Sequence, residues 1–322
     1  MKIFKFLEKK ISAYNEDLYF QIIVNGMILA FSLRVLGAGL TFFLNIVIAR
    51  LLGAEGTGIF FLALAISTIG SVIGRVGLDN ALLRFVSAHA GNEEWDHVLG
   101  VHILAIKICL VASGTVTLIL TIFAPFISDI IFKNPDLSQP LRWMSLTILP
   151  MSILTLEGQS LKGLKKITDS ILLQGVLVPL LVLLFIFPLV SLSGIIGVTW
   201  AYLIASIFVG FYGWIRWKRI TFSIKKSNFA FNSTTLLESC KFLYPVALIN
   251  RAVIPWFPIL FLGIWVSPDD TGIFGVASRV SMLVSFLLTT LNNVVAPIFS
   301  ELYTKGKLDK MAKTARSSAM II

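Results

Sequence analysis

Apolar residues run through this chain in long, nearly unbroken blocks separated by short polar segments. The blocks lie at roughly 22–49, 58–78 with a polar-edged extension to 88, 98–126, 141–161, 171–190, 195–217, 242–266 and 273–299, and a ninth begins near Met311. A helix of about 20 residues, rising about 1.5 Å per residue, crosses a hydrocarbon layer about 30 Å thick. Within lipid the backbone must satisfy its own hydrogen bonds, which favours helices as spans. The pattern predicts an all-α membrane protein with eight complete spans. The segment ahead of the first block, MKIFKFLEKKISAYNEDLYF, is basic and amphipathic and lacks an apolar core running to a small-residue cleavage site. It reads as a short interfacial helix rather than a cleaved signal.

Two of the blocks begin with related phrases. GAEGTGIFFLALAIS (Gly53 to Ser67) and SPDDTGIFGVASRVS (Ser267 to Ser281) agree without gaps at Thr57 and Thr271, Gly58 and Gly272, Ile59 and Ile273, Phe60 and Phe274, Ala63 and Ala277, and Ser67 and Ser281. The offset of 214 residues far exceeds the roughly 20 to 50 residues of a solenoid unit. It fits a duplicated half. The predicted division is an N-terminal lobe of six spans (1–217), a cytoplasmic linker (218–237) and a partial C-terminal lobe (238–322) holding spans seven, eight and the start of nine. Both lobes would enter the membrane from the same side, so the repeat is parallel, related by an axis along the membrane normal. A full second lobe would need four further spans, so the chain is expected to be a truncated form. Pro245, Pro255 and Pro258 fall in span seven, a candidate hinge.

Composition agrees with a lipid solvent: 57% of residues are hydrophobic and 14% charged, with a mean hydropathy of +0.89. The net charge of +10 does not point to nucleic acid, because the basic residues alternate by loop. Lys2, Lys5, Lys9 and Lys10 mark one side, followed there by Lys162, Lys165 and Lys166, by the Arg216 to Lys226 cluster, and by Lys305 to Arg316. By the positive-inside rule this predicts a multi-pass protein of the cytoplasmic membrane with its N-terminus in the cytoplasm. One inner loop breaks the pattern: GNEEWDH, Gly91 to His97, has no Lys or Arg. Cys109 and Cys240 fall too far apart in this topology to pair and are expected as free thiols. His97 and His102 would project about 140° apart on a helix, so no metal site is predicted.

Candidate chemistry lies in charges where lipid should exclude them. Arg34 sits about twelve residues into its span, roughly 18 Å deep, and Arg251 and Arg279 hold comparable positions in spans seven and eight; Arg75 lies well inside span two. A guanidinium there costs at least about 2.5 kcal/mol, so each should face a cavity or a partner. Interior acids are few. Asp79 follows Arg75 by four residues, where a local ion pair is the plain structural expectation, and Glu157 lies near the inner end of span four. These two are the candidates for ion coupling. A cavity with several unpaired guanidiniums suits phosphate or pyrophosphate, which arginine can grip bidentately, better than a cationic drug. Arg34, Arg75, Arg251 and Arg279 are therefore the candidate substrate-binding residues, converging on a cleft between the lobes. No phosphate loop of the GxxxxGK[ST] kind is present and no cofactor is implied, so an ATPase is not predicted.

LRVLGAGLTFFLNIVIARLLGAEGTGIFFLALAIS, followed by GLDNALLRFVSAHAG, resembles the opening of the oligosaccharide flippases, the polysaccharide biosynthesis proteins of the multidrug/oligosaccharidyl-lipid/polysaccharide (MOP) exporter superfamily. The resemblance implies a two-lobed, MATE-like helical bundle that moves lipid-linked, pyrophosphate-bearing oligosaccharides across the membrane by alternating access, and it is not an enzyme family. In related lipid II flippases an arginine in an SRVLG segment and another in the eighth span line a cationic cavity. LRVLG puts Arg34 at the first and ASRVS puts Arg279 at the second. Membrane lipid, and glycan polymerase or ligase proteins, are the partners it implies. Two alternatives stay open: a cation-coupled multidrug antiporter of the same superfamily, and a non-transporting partner in a glycan assembly complex.

Overall fold

The computed structural model describes the backbone of residues 2–222 and 233–281 and the side chains of residues 29–222 and 234–281. The described part is helical throughout. The predicted ninth span and the rest of span eight beyond 281 lie outside the described residues, as does most of the predicted linker.

The first helical stretch, α1 (Lys2–Gly74), is two limbs joined at Gly53, whose φ of 69° and ψ of −173° suit glycine and break the helix. Thr41 on the first limb and Ser67 on the second line one cavity, so the chain folds back on itself here. Backbone helix continues from Lys2 straight into the first span, so no break sets the basic lead apart from it. After the second limb a turn at 75–77, with Val76 and Gly77 both at positive φ (49° and 77°), starts α2 (Leu78–Gly91). The polar-edged extension predicted for span two is thus a helix of its own. α3 (Trp95–Phe126) closes with a π-helical turn (Ile127–Ile131), and α4 (Ser138–Ser145) and α5 (Ile148–Gly163) together make the fourth predicted span. α6 (Ile167–Ile171), a π-helical turn (Leu172–Val176) and α7 (Leu177–Ser193) make the fifth, and α8 (Ile195–Thr221) the sixth. The seventh is α9 (Ser233–Leu248), a π-helical turn (Ile249–Val253) and α10 (Ile254–Trp265). α11 follows at 268–281.

Among the described residues five helices are long and apolar enough to cross a membrane, from Leu29–Gly74 to Thr234–Trp265. The first of these supplies two passes because it is folded at Gly53. Polarity is arranged for lipid: Val111, Leu118, Ile122 and Leu184 are exposed on the outside, while Ser113, Ser145 and Ser152 are wholly buried. The helices approach through small residues, with Gly197, Ala201, Ala205, Gly210 and Gly213 forming the buried stripe of α8. A hydroxyl pair, Ser71 Oγ to Ser152 Oγ at 3.0 Å, ties α1 to α5. Cys109 and Cys240 are buried free thiols.

The two repeated phrases meet. A Cβ placed on Gly58 would collide with the carbonyl oxygen of Pro268 and lie 3.0 Å from the Gly272 nitrogen; one placed on Gly272 would collide with the carbonyl of Ala54 and lie 2.9 Å from the Gly58 nitrogen. Pro268 stands at the same 214-residue offset from Ala54 as Gly272 does from Gly58, so the contact is symmetric under the repeat. The threonines match too: Thr57 donates to the Gly53 carbonyl at 2.5 Å and Thr271 to the Ser267 carbonyl at 3.0 Å. Glycine is needed at both positions because backbone rests on backbone.

At the opposite end lies the loop without basic residues. His89 Nδ1 and Glu94 Oε2 are 2.5 Å apart, and that hydrogen bond holds the Glu94 carboxyl below the usual carboxylate range. Lys165 and Lys166 share a surface depression with Glu93, Glu94 and Asp96. Lysines from the neighbouring loop thus supply the positive charge that this loop lacks.

Candidate functional site

One face of the first limb of α1 carries Arg34, Ala38, Thr41 and Asn45, spaced three and four apart as a helical face requires, and all four line a cavity of about 440 Å³. Thr41 donates to the Gly37 carbonyl at 2.8 Å and Asn45 to the Thr41 carbonyl at 2.7 Å, which satisfies the hydroxyl and one hydrogen of the amide within their own helix. Gln159 and Lys162 of α5 form the facing wall, Ser170 of α6 and Gln174 and Gly175 of the π-helical turn the side, and Arg279 of α11 the far end. The extra residue of a π turn displaces the side chains that follow it, and such turns concentrate at functional sites. Here the turn brings the Gly175 carbonyl against Gly37, where a Cβ would stand 2.6 Å from its oxygen.

The charged groups among the described residues lining this cavity are Arg34, Lys162 and Arg279, with no carboxylate among those described residues. Arg34 is exposed and makes no hydrogen bond or ion pair with a described residue. It lies nineteen residues before the kink at Gly53, about 28 Å along the helix, and shares its cavity with Lys162. Arg279 is eleven residues into α11, about 17 Å in by the same measure. Its guanidinium carbon is 4.4 Å from the centroid of the Trp256 ring and 5.6 Å from that of Phe61. Ring faces attract and position a cation while leaving it charged.

Arg75 and Arg251 line a second cavity of about 380 Å³, which shares Thr41, Gln174 and Gly175 with the first. All four predicted arginines therefore border two adjoining chambers. The arginines of this second cavity are paired with a carboxylate, against the expectation of unpaired guanidiniums. Asp79, only 1% exposed, receives both: Arg75 Nε is 3.7 Å from Asp79 Oδ2, and Arg251 Nη1 is bonded to the same oxygen. Arg75 Nη1 also donates to Ser71 Oγ at 2.6 Å, and Arg251 Nη2 lies 3.4 Å from Asn80 Oδ1. The Arg75 to Asp79 contact was expected from spacing along one helix, yet the helix is interrupted at 75–77 and the contact spans that turn. Arg251 sits on a π-helical turn flanked by the prolines of the seventh span, so the backbone irregularity of that span centres on the arginine.

Glu157, the other predicted coupling acid, borders neither chamber. It is buried on another face of α5, 3.5 Å from His102 Nε2. Lys162, Gln159 and Gln174 were not singled out from the sequence. A lysine near a helix end reads as a topological marker, and only the packing of α5 against α1 turns it inward.

Similarity to known proteins extends this geometry. A solved structure described as the inward-facing conformation of a multidrug resistance MATE family transporter of the MOP superfamily matches with a TM-score of 0.67 at 15% identity, over 90% of this chain and 66% of that one. At such identity the likeness concerns the fold, and this chain spans about two thirds of that transporter's length. Among curated proteins none matches this chain. The family model for polysaccharide biosynthesis proteins matches residues 23–303, a stretch that contains every residue of both chambers. A multi-pass helical bundle with a MATE-like fold, matched by that model over most of its length, belongs to the polysaccharide biosynthesis protein family.

Proposed function

We propose that this protein is a flippase that moves lipid-linked, pyrophosphate-bearing oligosaccharide precursors across the cytoplasmic membrane, with its N-terminus in the cytoplasm and two lobes rocking about the chambers. The described lining of the larger chamber, which holds Arg34, Lys162 and Arg279 and no carboxylate among the described residues, carries this reading. Guanidinium groups bind phosphate oxygens through paired, charge-assisted hydrogen bonds, and lysine adds a mobile point charge. A cationic drug would find no counter-charge among those described residues. Asp79, one of the two acids that the antiporter alternative would use, already serves two arginines, which weighs against that alternative. Glycan polymerases or ligases are the partners that such a cargo implies.

Each charge-assisted hydrogen bond contributes about 1.5–3 kcal/mol, and a tenfold change in binding corresponds to about 1.4 kcal/mol. R34A and R279A are each expected to lower transport at least about tenfold, and R34K and R279K to recover part of it. The measurement is display of the surface glycan in cells, with insertion followed by membrane fractionation, and flipping of a polyprenyl-pyrophosphate saccharide in proteoliposomes. Wild-type rates from the combined R34A/K162A/R279A protein would remove the assignment.

A further inference from the structure

A groove of about 860 Å³ lies where the beginning of α3 approaches the end of α8. Ile103, Ile106 and Lys107 line it from one helix and Trp214, Lys218 and Phe222 from the other, each set spaced to share one helical face. Ile103, Trp214 and Phe222 are exposed, so the groove opens outward to the bilayer. On its floor Trp217 stacks on His102, with ring centroids 4.0 Å apart. Glu157, the one carboxylate among the described lining residues, is 1% exposed and stands 3.5 Å from His102 Nε2, so it is taken up within the bundle. α5 shows Glu157 to this groove and Gln159 and Lys162 to the cation-lined chamber, and so separates the two.

The charge pattern sets the depth of the groove. Residues 108–128, the 21 between Lys107 and Asp129, carry no charge, and α8 likewise runs 21 residues, 195–215, before Arg216. At about 1.5 Å per residue each stretch is about 31 Å long, one hydrocarbon thickness. Lys107 and Lys218 therefore mark the same hydrocarbon edge from two helices, the level at which lipid phosphates lie. Trp214 stands beside them, and its amphipathic ring suits that interface.

Among the described residues no carboxylate is paired with either lysine. Arg216, at the same level, is paired with Asp169 at 2.7 Å, whereas Lys107 and Lys218 make no ion pair with a described residue. Lys218 Nζ lies 3.8 Å from the centroid of the Trp214 ring, a contact that positions the ammonium and leaves it charged. From the groove toward the hydrocarbon both helices stay apolar, with Leu110 and Val111 exposed on α3 and Phe208 and Phe211 on α8. Two cations at phosphate level above an apolar bed complement a lipid of like shape, its headgroup against the ammonium groups and its chains along the exposed side chains. Basic pockets between membrane helices select anionic headgroups for this reason. We infer that the groove between α3 and α8 is a binding site for an anionic phospholipid of the surrounding bilayer, separate from the cation-lined chamber.

Native mass spectrometry of the purified, delipidated protein tests this with phosphatidylglycerol and phosphatidylcholine as probes. The wild type is expected to bind phosphatidylglycerol at least about tenfold more tightly than phosphatidylcholine. K107A/K218A should lose that preference and K107R/K218R should keep it. Both lysines are exposed, and monodispersity and helical content report whether each variant is folded. R34A/K162A/R279A should also keep the preference, because those cations line the other chamber. Equal binding of the two lipids by the wild type, a preference that survives in K107A/K218A, or one lost in R34A/K162A/R279A would overturn the inference. So would a dependence on Lys107 and Lys218 seen with a polyprenyl pyrophosphate and not with phosphatidylglycerol, which would give the groove to the cargo. The measurement with bilayer lipids involves no transport, so its failure leaves the flippase reading standing. Conversely, loss of the arginine effect on transport would leave the lipid site untouched.

Discussion

D79A is expected to lower the stability of the folded protein by about 3–5 kcal/mol, the usual cost of stripping the partner from a buried charge. Asp79 is 1% exposed and Arg75 6%, and the carboxylate is the only acid contacting either Arg75 or Arg251 among the described residues. Without it, Arg75 would keep a hydrogen bond to Ser71 but no compensating charge. The turn at 75–77 would lose the contact that spans it. Thermal unfolding of the purified protein in detergent measures the loss, and the double change R75L/D79L supplies the control. Replacing a buried ion pair by apolar residues of similar volume is often neutral, so the double variant should recover most of the stability. A D79A protein as stable as the wild type would mean that the triad contributes nothing. D79N should fall between, because it keeps an acceptor and loses the charge.

The second large effect concerns the glycine contact. G58V and G272V are each expected to force apart the end of the bundle at Gly53, because the added side chain occupies the place of a carbonyl oxygen on the opposing copy. Backbone cannot rotate aside as a side chain can, so the strain is relieved by separation rather than by repacking. Spin labels at Glu55 and Asp269, both exposed, in protein lacking Cys109 and Cys240, would report it as a longer and broader distance distribution. G39V is the control, since a Cβ on Gly39 meets nothing within 4 Å. The symmetry of the contact predicts the same effect from either glycine. A normal distance in both variants would show that the contact does not hold this end closed. If the halves of the bundle exchange between two closures, transport should fall in both proteins as well.

Much of the architecture was legible in the order of residues. The first seven apolar blocks, and the eighth as far as residue 281, correspond to helical stretches, because a lipid solvent demands about 20 apolar residues per crossing and tolerates little else. Helix interruptions were less visible. Gly53 and Gly77 are turn residues by type, but Val76 at positive φ and the π turns around Gln174 and Arg251 carry no local signal that separates them from ordinary helix. The arginines were found by depth, and their presence around two adjoining chambers follows from fold geometry that depth alone does not specify. Their state was not legible: a residue count of charges shows four arginines against two acids, while the structure gives both Arg75 and Arg251 to Asp79 and sends Glu157 to His102 on another face.

Local spacing sets what one helix can do: hence the apolar spans, the repeated phrase, the alternation of lysines and the face shared by Arg34, Thr41 and Asn45. Contacts between residues 172 apart in the chain, such as Asp79 with Arg251, or 55 apart, such as His102 with Glu157, depend on which helices pack together and at what rotation. Side chains on a helix point outward from their own axis, so composition tells which charges exist, and packing alone decides which of them are neutralised and which are left facing an open chamber.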